Sequence, residues 1–181
     1  GVEIDVTRLL TFSRSRGLSS YLALVHVAHQ TARDLVNFRY RIVDGVPVLL
    51  DDMCLSFTYM PEGSELFINV CMAWQDDLCA FHDEARARAL AQGDDVGVAA
   101  LRGRWDMIRY SGLPWLQYTH VVRTIARSGV DSAPKMTWGK YFKRDGRMLV
   151  TFSVQVHHGL MDGYHLGTFY ERLQRNIDQL A

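Results

Sequence analysis

The chain of 181 residues has little cysteine, no surplus of either charge and no long apolar run, and each shortage removes a class of protein. Cys54, Cys71 and Cys79 form an odd, widely spaced set with neither metal-ligand spacing nor a disulfide pattern. They read as reduced, mostly buried thiols in a reducing cytoplasm. Lys and Arg number 20 and Asp and Glu 20, which gives zero formal net charge and a pI near 7.2. That balance argues against nucleic-acid binding, which draws on a basic excess, and any phosphate must be met locally. No stretch approaches the roughly eighteen apolar residues of a membrane helix, and the start lacks the charged-then-apolar pattern of a signal peptide. Neither nucleic acid nor membrane is an expected partner. Internal repeats, low-complexity tracts and interdomain linkers are also missing.

What is present suits one domain with a substantial core, at 48% hydrophobic and 22% charged residues. Ser19 and Ser20 cap an expected helix over 21–36, with Tyr21, Leu24, Val25, Ala28, Ala32 and Leu35 on one stripe and His26 and His29 as ordinary helix residues. Residues 38–43, Asp44-Gly45 and 46–50 spell a hairpin with a type I′ turn. Strands are expected at 54–59 and 65–73, then a helix over 76–92 with Leu78, Phe81, Ala85 and Ala89 inward and Glu84, Arg86 and Arg88 solvated. An irregular 93–103 stretch precedes strands near 105–111 and 115–123, with Trp115 in the core. A loop holding Gly129 and Pro134 leads to strands at 135–142 and 147–156, joined by Arg144-Asp145-Gly146. A last helix spans 163–179, with Leu166, Phe169, Tyr170, Leu173 and Ile177 as its core stripe. The expected fold class is α/β (α+β): a mixed, largely antiparallel sheet with packed helices.

The run Val156-His157-His158-Gly159-Leu160-Met161-Asp162-Gly163 sits at the junction between the last strand and the last helix. Moving an acyl group from a thioester to a hydroxyl requires a base that removes the hydroxyl proton as the oxygen attacks. Histidine does this near neutral pH without a metal. Asp162 is placed to pin the loop, and Gly159 and Gly163 permit its bends. The cluster offers a metal little, because adjacent histidines project differently and spacing fixes no third strong ligand, so no metal is expected.

This run, with Tyr164-His165-Leu166-Gly167 after it, resembles the signature of the chloramphenicol acetyltransferase family. So do Met136-Thr137-Trp138-Gly139-Lys140-Tyr141, the Leu113-Pro114-Trp115 segment, Phe38-Arg39, the Asp44-Gly45 hairpin and Asp51, so the resemblance covers nearly the whole chain. It implies a single acyltransferase domain over 1–181 that forms a cytoplasmic homotrimer, with each catalytic histidine facing a pocket completed by a neighbouring subunit. The implied reaction is direct transfer of acetyl from acetyl-coenzyme A, a co-substrate, to a hydroxyl of chloramphenicol or a similar small acceptor, the chemistry of antibiotic resistance. His158, not His157, becomes the general base.

By the same resemblance Thr137 organises a bound water or the transition state, and Trp138, Gly139, Lys140 and Tyr141 line the coenzyme A side. Tyr141 stacks on adenine and Lys140 meets a phosphate. Phe67 and Trp74 contribute to the acceptor pocket. Where the resemblance places an oxyanion-binding serine, six residues after Pro114, this chain departs from the family and has His120, whose ring N–H is the candidate donor, with the Thr119 hydroxyl beside it. The chain also begins inside what resembles the family's first core strand, so the leading segment that supplies an arginine partner for Asp162 is expected to be lacking; Arg39 and Arg123 are the substitutes within the chain. Two alternatives stay open. One is an acyltransferase with another acceptor, such as the core of dihydrolipoamide complexes or of condensation domains, which share His-x-x-x-Asp-Gly. The other is a catalytically weakened homotrimeric binding or scaffold domain of the same fold.

Overall fold

In the computed structural model, which describes residues 1–122 and 131–181, the chain opens with an edge strand, β1 (Val2–Asp5). The Asp5 carboxylate then accepts the Thr7 backbone N–H at 2.9 Å and so starts a helix, α1 (Thr7–Ser15), that sequence reading had not anticipated. The Ser19 hydroxyl accepts the Leu22 N–H and caps α2 (Ser20–Arg33), three residues shorter at its end than expected because a 3-10 turn takes over at Val36–Arg39. At the hairpin, Asp44 and Gly45 take φ of 50° and 80°, the left-handed geometry of a two-residue turn. Across it β2 (Tyr40–Val43) pairs with β3 (Val46–Leu49). Strands β4 (Cys54–Tyr59) and β5 (Ile68–Met72) follow, then α3 (Leu78–Gln92), capped by the Asp77 carboxylate, and the short α4 (Val98–Leu101).

After β6 (Met107–Gly112) the expected strand near 115–123 does not form over its described part; residues 115–122 run as turns and irregular backbone. Pro114 offers no N–H to a ladder. Instead Leu113 N donates to Trp138 O and Lys140 N to Leu116 O, so the loop is stitched to the far side of a bend. Nor is the expected 135–142 strand continuous. It splits into β7 (Lys135–Trp138) and β8 (Phe142–Arg144) around Gly139, where a Cβ would stand 2.6 Å from the Leu116 carbonyl. Only glycine lets the two backbones meet there. Strand β9 (Arg147–Gln155) and helix α5 (Gly163–Asp178) complete the chain.

The main sheet runs β1-β9-β7-β6-β4-β5, with β8 also on β9, and β2-β3 forms a separate ribbon. The β4–β6 and β6–β7 pairs are parallel and the others antiparallel, so the sheet is mixed and largely antiparallel, as expected. Its apolar face packs on α1, α2 and α5, where Leu24, Phe57, Phe152, Phe169 and Leu173 are fully buried. Arg41 ties the ribbon down. It is fully buried and gives its guanidinium to the carbonyls of Phe38, Tyr40, Trp105 and Met107. Burial lowers its pKa to about 10, so it stays a cation held by dipoles.

Two expectations of burial fail. Trp115 is 65% exposed, since the loop that carries it has no strand pairing to hold it against the core. Cys54 and Cys71 are half-buried and Cys79 is exposed on the outer face of α3, all with free thiols. Among the described residues, no helix is long and apolar enough to cross a membrane, and no three His, Cys, Asp or Glu side chains are grouped to hold a metal.

Candidate active site

Beyond β9 the chain turns tightly, with the N–H groups of Leu160 and Met161 both donating to the His157 carbonyl. The turn brings the Met161 carbonyl within 3.2 Å of His158 Nδ1. A carbonyl only accepts, so Nδ1 carries a proton, and in the neutral ring the lone pair falls on Nε2. His157 takes the opposite tautomer, because its Nδ1 accepts the Gly159 N–H at 3.2 Å. Of the two neighbouring rings, His158 is therefore the one whose neutral form keeps its lone pair on Nε2, and its side chain is exposed.

Among the described residues, Asp162 pairs with no arginine. Its carboxylate caps α5, accepting the Tyr164 N–H at 3.0 Å, while His165 Nδ1 lies 3.1 Å from the Asp162 backbone N and 3.0 Å from its Oδ1. Arg39 instead donates to the Asp51 carbonyl, and Arg123 lies outside the described residues. The capping box predicted by no sequence rule used above pairs Asp162 with His165 in place of the usual Ser/Thr with Glu.

A cavity of about 450 Å³ adjoins His158 and is lined also by Val121, Val154, Gln155, Met161, Asp162 and Leu166. A second cavity, about 790 Å³, holds Trp138, Gly139, Lys140, Tyr141 and Phe67 in its wall. The sequence-predicted coenzyme-side residues are thus brought together, but not with His158. The register explains why. Lys135 pairs with Gln155, so His158 lies past the N-terminal end of β7, whereas 139–141 lie past its other end. Those ends are three strand steps apart, roughly 10 Å.

Within the larger cavity Trp138 is buried, parallel to Phe152 at 5.5 Å and tilted against Tyr21 at 5.1 Å. It contributes an edge, not a free face. Burial raises the Tyr141 phenol to about 12, with the Ser20 and Trp138 side chains drawing it partway back, so the ring lines the cavity as a neutral phenol. Lys140 is exposed and Phe67 is half-exposed.

Trp74 is elsewhere: it stacks on His26 at 4.4 Å, receives Arg33 over its ring at 5.1 Å and donates to Asp76. His120 is exposed, lies 3.4 Å from the Thr119 hydroxyl and belongs to neither cavity wall described above.

Sequence reasoning missed Ser111. It lines the larger cavity and pairs in register with Thr137 on the adjacent parallel strand. Tyr110 and Trp138 turn toward α2, where they meet His29 and Tyr21. By strand alternation Ser111 and Thr137 share the opposite face of the sheet. The available signal was positional, a serine at the end of a strand immediately before Gly112-Leu113-Pro114-Trp115.

A family model for chloramphenicol acetyltransferase matches residues 1–174. A chloramphenicol acetyltransferase of Streptomyces acrimycini is 32% identical over 177 residues, covering 96% of this chain and 80% of that protein. One of Proteus mirabilis is 25% identical over 178 residues, 98% of this chain and 82% of the relative. Among solved structures a chloramphenicol acetyltransferase superposes with a TM-score of 0.84 at 25% identity, covering 97% of this chain and 86% of the other. A probable dihydrolipoamide acetyltransferase from Listeria monocytogenes 4b F2365, at 14% identity and TM-score 0.73 over 99% of this chain and 83% of its own, shares the fold.

Proposed function

The chain belongs to the chloramphenicol acetyltransferase family and is an acyltransferase, and from that premise we propose that it moves acetyl from acetyl-coenzyme A to a hydroxyl of a small acceptor, chloramphenicol or a molecule of its kind. The observation that carries this reading is the contact between His158 Nδ1 and the Met161 carbonyl, which in the neutral ring puts the lone pair on Nε2. Nε2 takes the acceptor's hydroxyl proton as the oxygen bonds to the thioester carbonyl carbon. The resulting oxyanion needs a donor, and the Ser111 hydroxyl is better placed than His120, since it shares the cavity with Lys140 and Tyr141. Collapse of the intermediate breaks the carbon–sulfur bond, and the proton on Nε2 passes to the departing thiolate. No metal and no covalent enzyme intermediate enter the scheme.

We assign the base and the cavity of one reaction centre to different copies of the chain. His158 is exposed and lies beyond one end of β7, while Ser111, Lys140 and Tyr141 gather toward the other, which favours a homotrimer in which each histidine faces a neighbour's cavity. A cytoplasmic location and a role in antibiotic resistance belong to the same reading.

Thiol release from acetyl-coenzyme A tests it, with chloramphenicol and other hydroxylated acceptors, alongside His158→Ala. Release that depends on acceptor and falls about 10²- to 10⁴-fold in the variant is expected. Equal rates in folded wild type and variant would remove His158 as the base.

A further inference from the structure

The turn that carries His158 also receives a hydrogen bond from far along the chain. Asn37 Nδ2 donates to the Leu160 carbonyl at 3.2 Å, across 123 positions of sequence. The peptide joining Leu160 to Met161 is thereby held at both ends, because its N–H, that of Met161, donates to the His157 carbonyl at 3.2 Å. The next carbonyl along the chain is Met161's own, the one that faces His158 Nδ1. Peptide units are rigid planes hinged at Cα, so fixing the first of these two planes limits where the second can point.

Asn37 itself stands on a firm support. It lies in the 3-10 turn Val36–Arg39, where Phe38 is fully buried with its ring 5.0 Å from that of Phe169 on α5. The buried Arg41 donates to the Phe38 carbonyl at 2.7 Å, and Arg172, also on α5, donates to the Asp34 carbonyl at 3.4 Å. The 3-10 turn is therefore docked on the helix that begins directly after the catalytic loop, and Asn37 ties that loop to the same support. Among the described residues, the Leu160 carbonyl is the partner of the Asn37 amide. The amide must present its NH2 there, since an oxygen would meet an oxygen.

We infer that Asn37 is a positioning residue for acetyl transfer: its amide fixes the Leu160–Met161 peptide and, through the Met161 carbonyl, the direction of the His158 ring. This rests on reading His158 as the base. The ring is then aimed from two sides, by its own loop and by a turn more than a hundred residues earlier. A reacting group displaced by about 1 Å loses about a hundredfold in rate, so one hydrogen bond to the loop is enough to matter. Coenzyme binding should be indifferent to it, because Lys140 and Tyr141 lie past the other end of β7.

The test compares the wild-type chain with Asn37→Ala, with Asn37→Asp, which keeps the shape and loses the donor, and with Asn37→Gln, which keeps the donor. Expected is a fall in kcat of about ten- to a hundredfold in the first two, with partial recovery in the third and KM for acetyl-coenzyme A unchanged. A second readout needs no turnover. Nitrogen NMR of the imidazoles at about pH 8, where an ordinary histidine is neutral, reports which ring nitrogen carries the proton. The His158 signals are identified by their absence from His158→Ala. They should show a proton on Nδ1 in wild type and exchange between both nitrogens in Asn37→Ala and Asn37→Asp. Wild-type kcat in those two variants, a lower kcat with an unchanged ring signature, or failure of both to fold overturns the inference and leaves Asn37 a structural residue. Wild-type turnover in His158→Ala removes the base, and this inference with it. Lost turnover in His158→Ala beside wild-type kcat in Asn37→Ala and Asn37→Asp overturns this inference alone.

Discussion

His165 Nδ1 stands 3.1 Å from the backbone nitrogen of Asp162 and 3.0 Å from its carboxylate, so one ring nitrogen touches both the main chain and the side chain of the residue that begins α5. A neutral ring accepts the N–H; a protonated one donates to the carboxylate instead. Either way His165 holds the helix entry that immediately follows the Met161 carbonyl, and that carbonyl orients His158.

His165→Ala should therefore cost the cap about 1 kcal/mol of stability and, by loosening the turn, lower kcat about ten- to a hundredfold. His165→Gln, which restores the usual acceptor of a capping box, should recover most of both. Thermal melts and steady-state kinetics on the two variants decide it. An alanine variant with wild-type kcat would reduce His165 to a plain helix cap.

Ser111 and His120 compete for one role, and their positions predict unequal consequences. Ser111→Ala should reduce kcat by about 10²- to 10³-fold with little change in KM, and His120→Ala should leave both nearly unchanged. The reverse pattern would return the oxyanion to His120.

Acid should destabilise the fold through His29. This ring is fully buried between the Tyr110 hydroxyl at 2.9 Å and the Met53 carbonyl at 3.1 Å, and burial first of all holds its pKa at about 3 against 6.5 for a free histidine. Below 6.5 the unfolded chain binds a proton that the native one refuses. Stability is full above about pH 7 and falls by about 1.4 kcal/mol per pH unit from 6.5 down toward 3. His26, lowered by its own burial, adds in the same direction. Urea unfolding at about pH 7.5 and about pH 5.5 should differ by about 1.4 kcal/mol or more, and His29→Gln should shrink the difference. An unchanged pH slope in the variant would clear His29 of the effect.

The sequence disclosed those parts whose physics is local. Asp44-Gly45 forces a hairpin, Ser19 and the apolar stripe force α2, and the loop after β9 closes on itself within residues 157–161, so no distant contact was needed to locate any of them. What escaped reading depended on partners far along the chain. The strand expected near 115 fails because residues 113–116 are bonded to 138–140. Trp115 looked like core by composition, and only the missing strand exposes it. Ser111 gains meaning only from the neighbouring Thr137, which the chain reaches after a long connection. Trp74 looked like a pocket aromatic, but His26 stacks on it and Arg33 sits over its ring, both from α2. Helix α1 went unnoticed because its start depends on a single side chain, Asp5, folding back on Thr7.

The length of β7 also has a genetic corollary. If one end of that strand belongs to one reaction centre and the other end to the next, damage to the two ends is not the same injury. A chain with His158→Ala keeps an intact cavity, and a chain with Ser111→Ala keeps an intact base. Each homogeneous assembly is crippled, yet co-expression of the two should restore part of the activity, because mixed assemblies unite the sound base of one allele with the sound cavity of the other. Combining both substitutions in the same chain should abolish the rescue, so complementation between alleles becomes a readout of how the copies share their work.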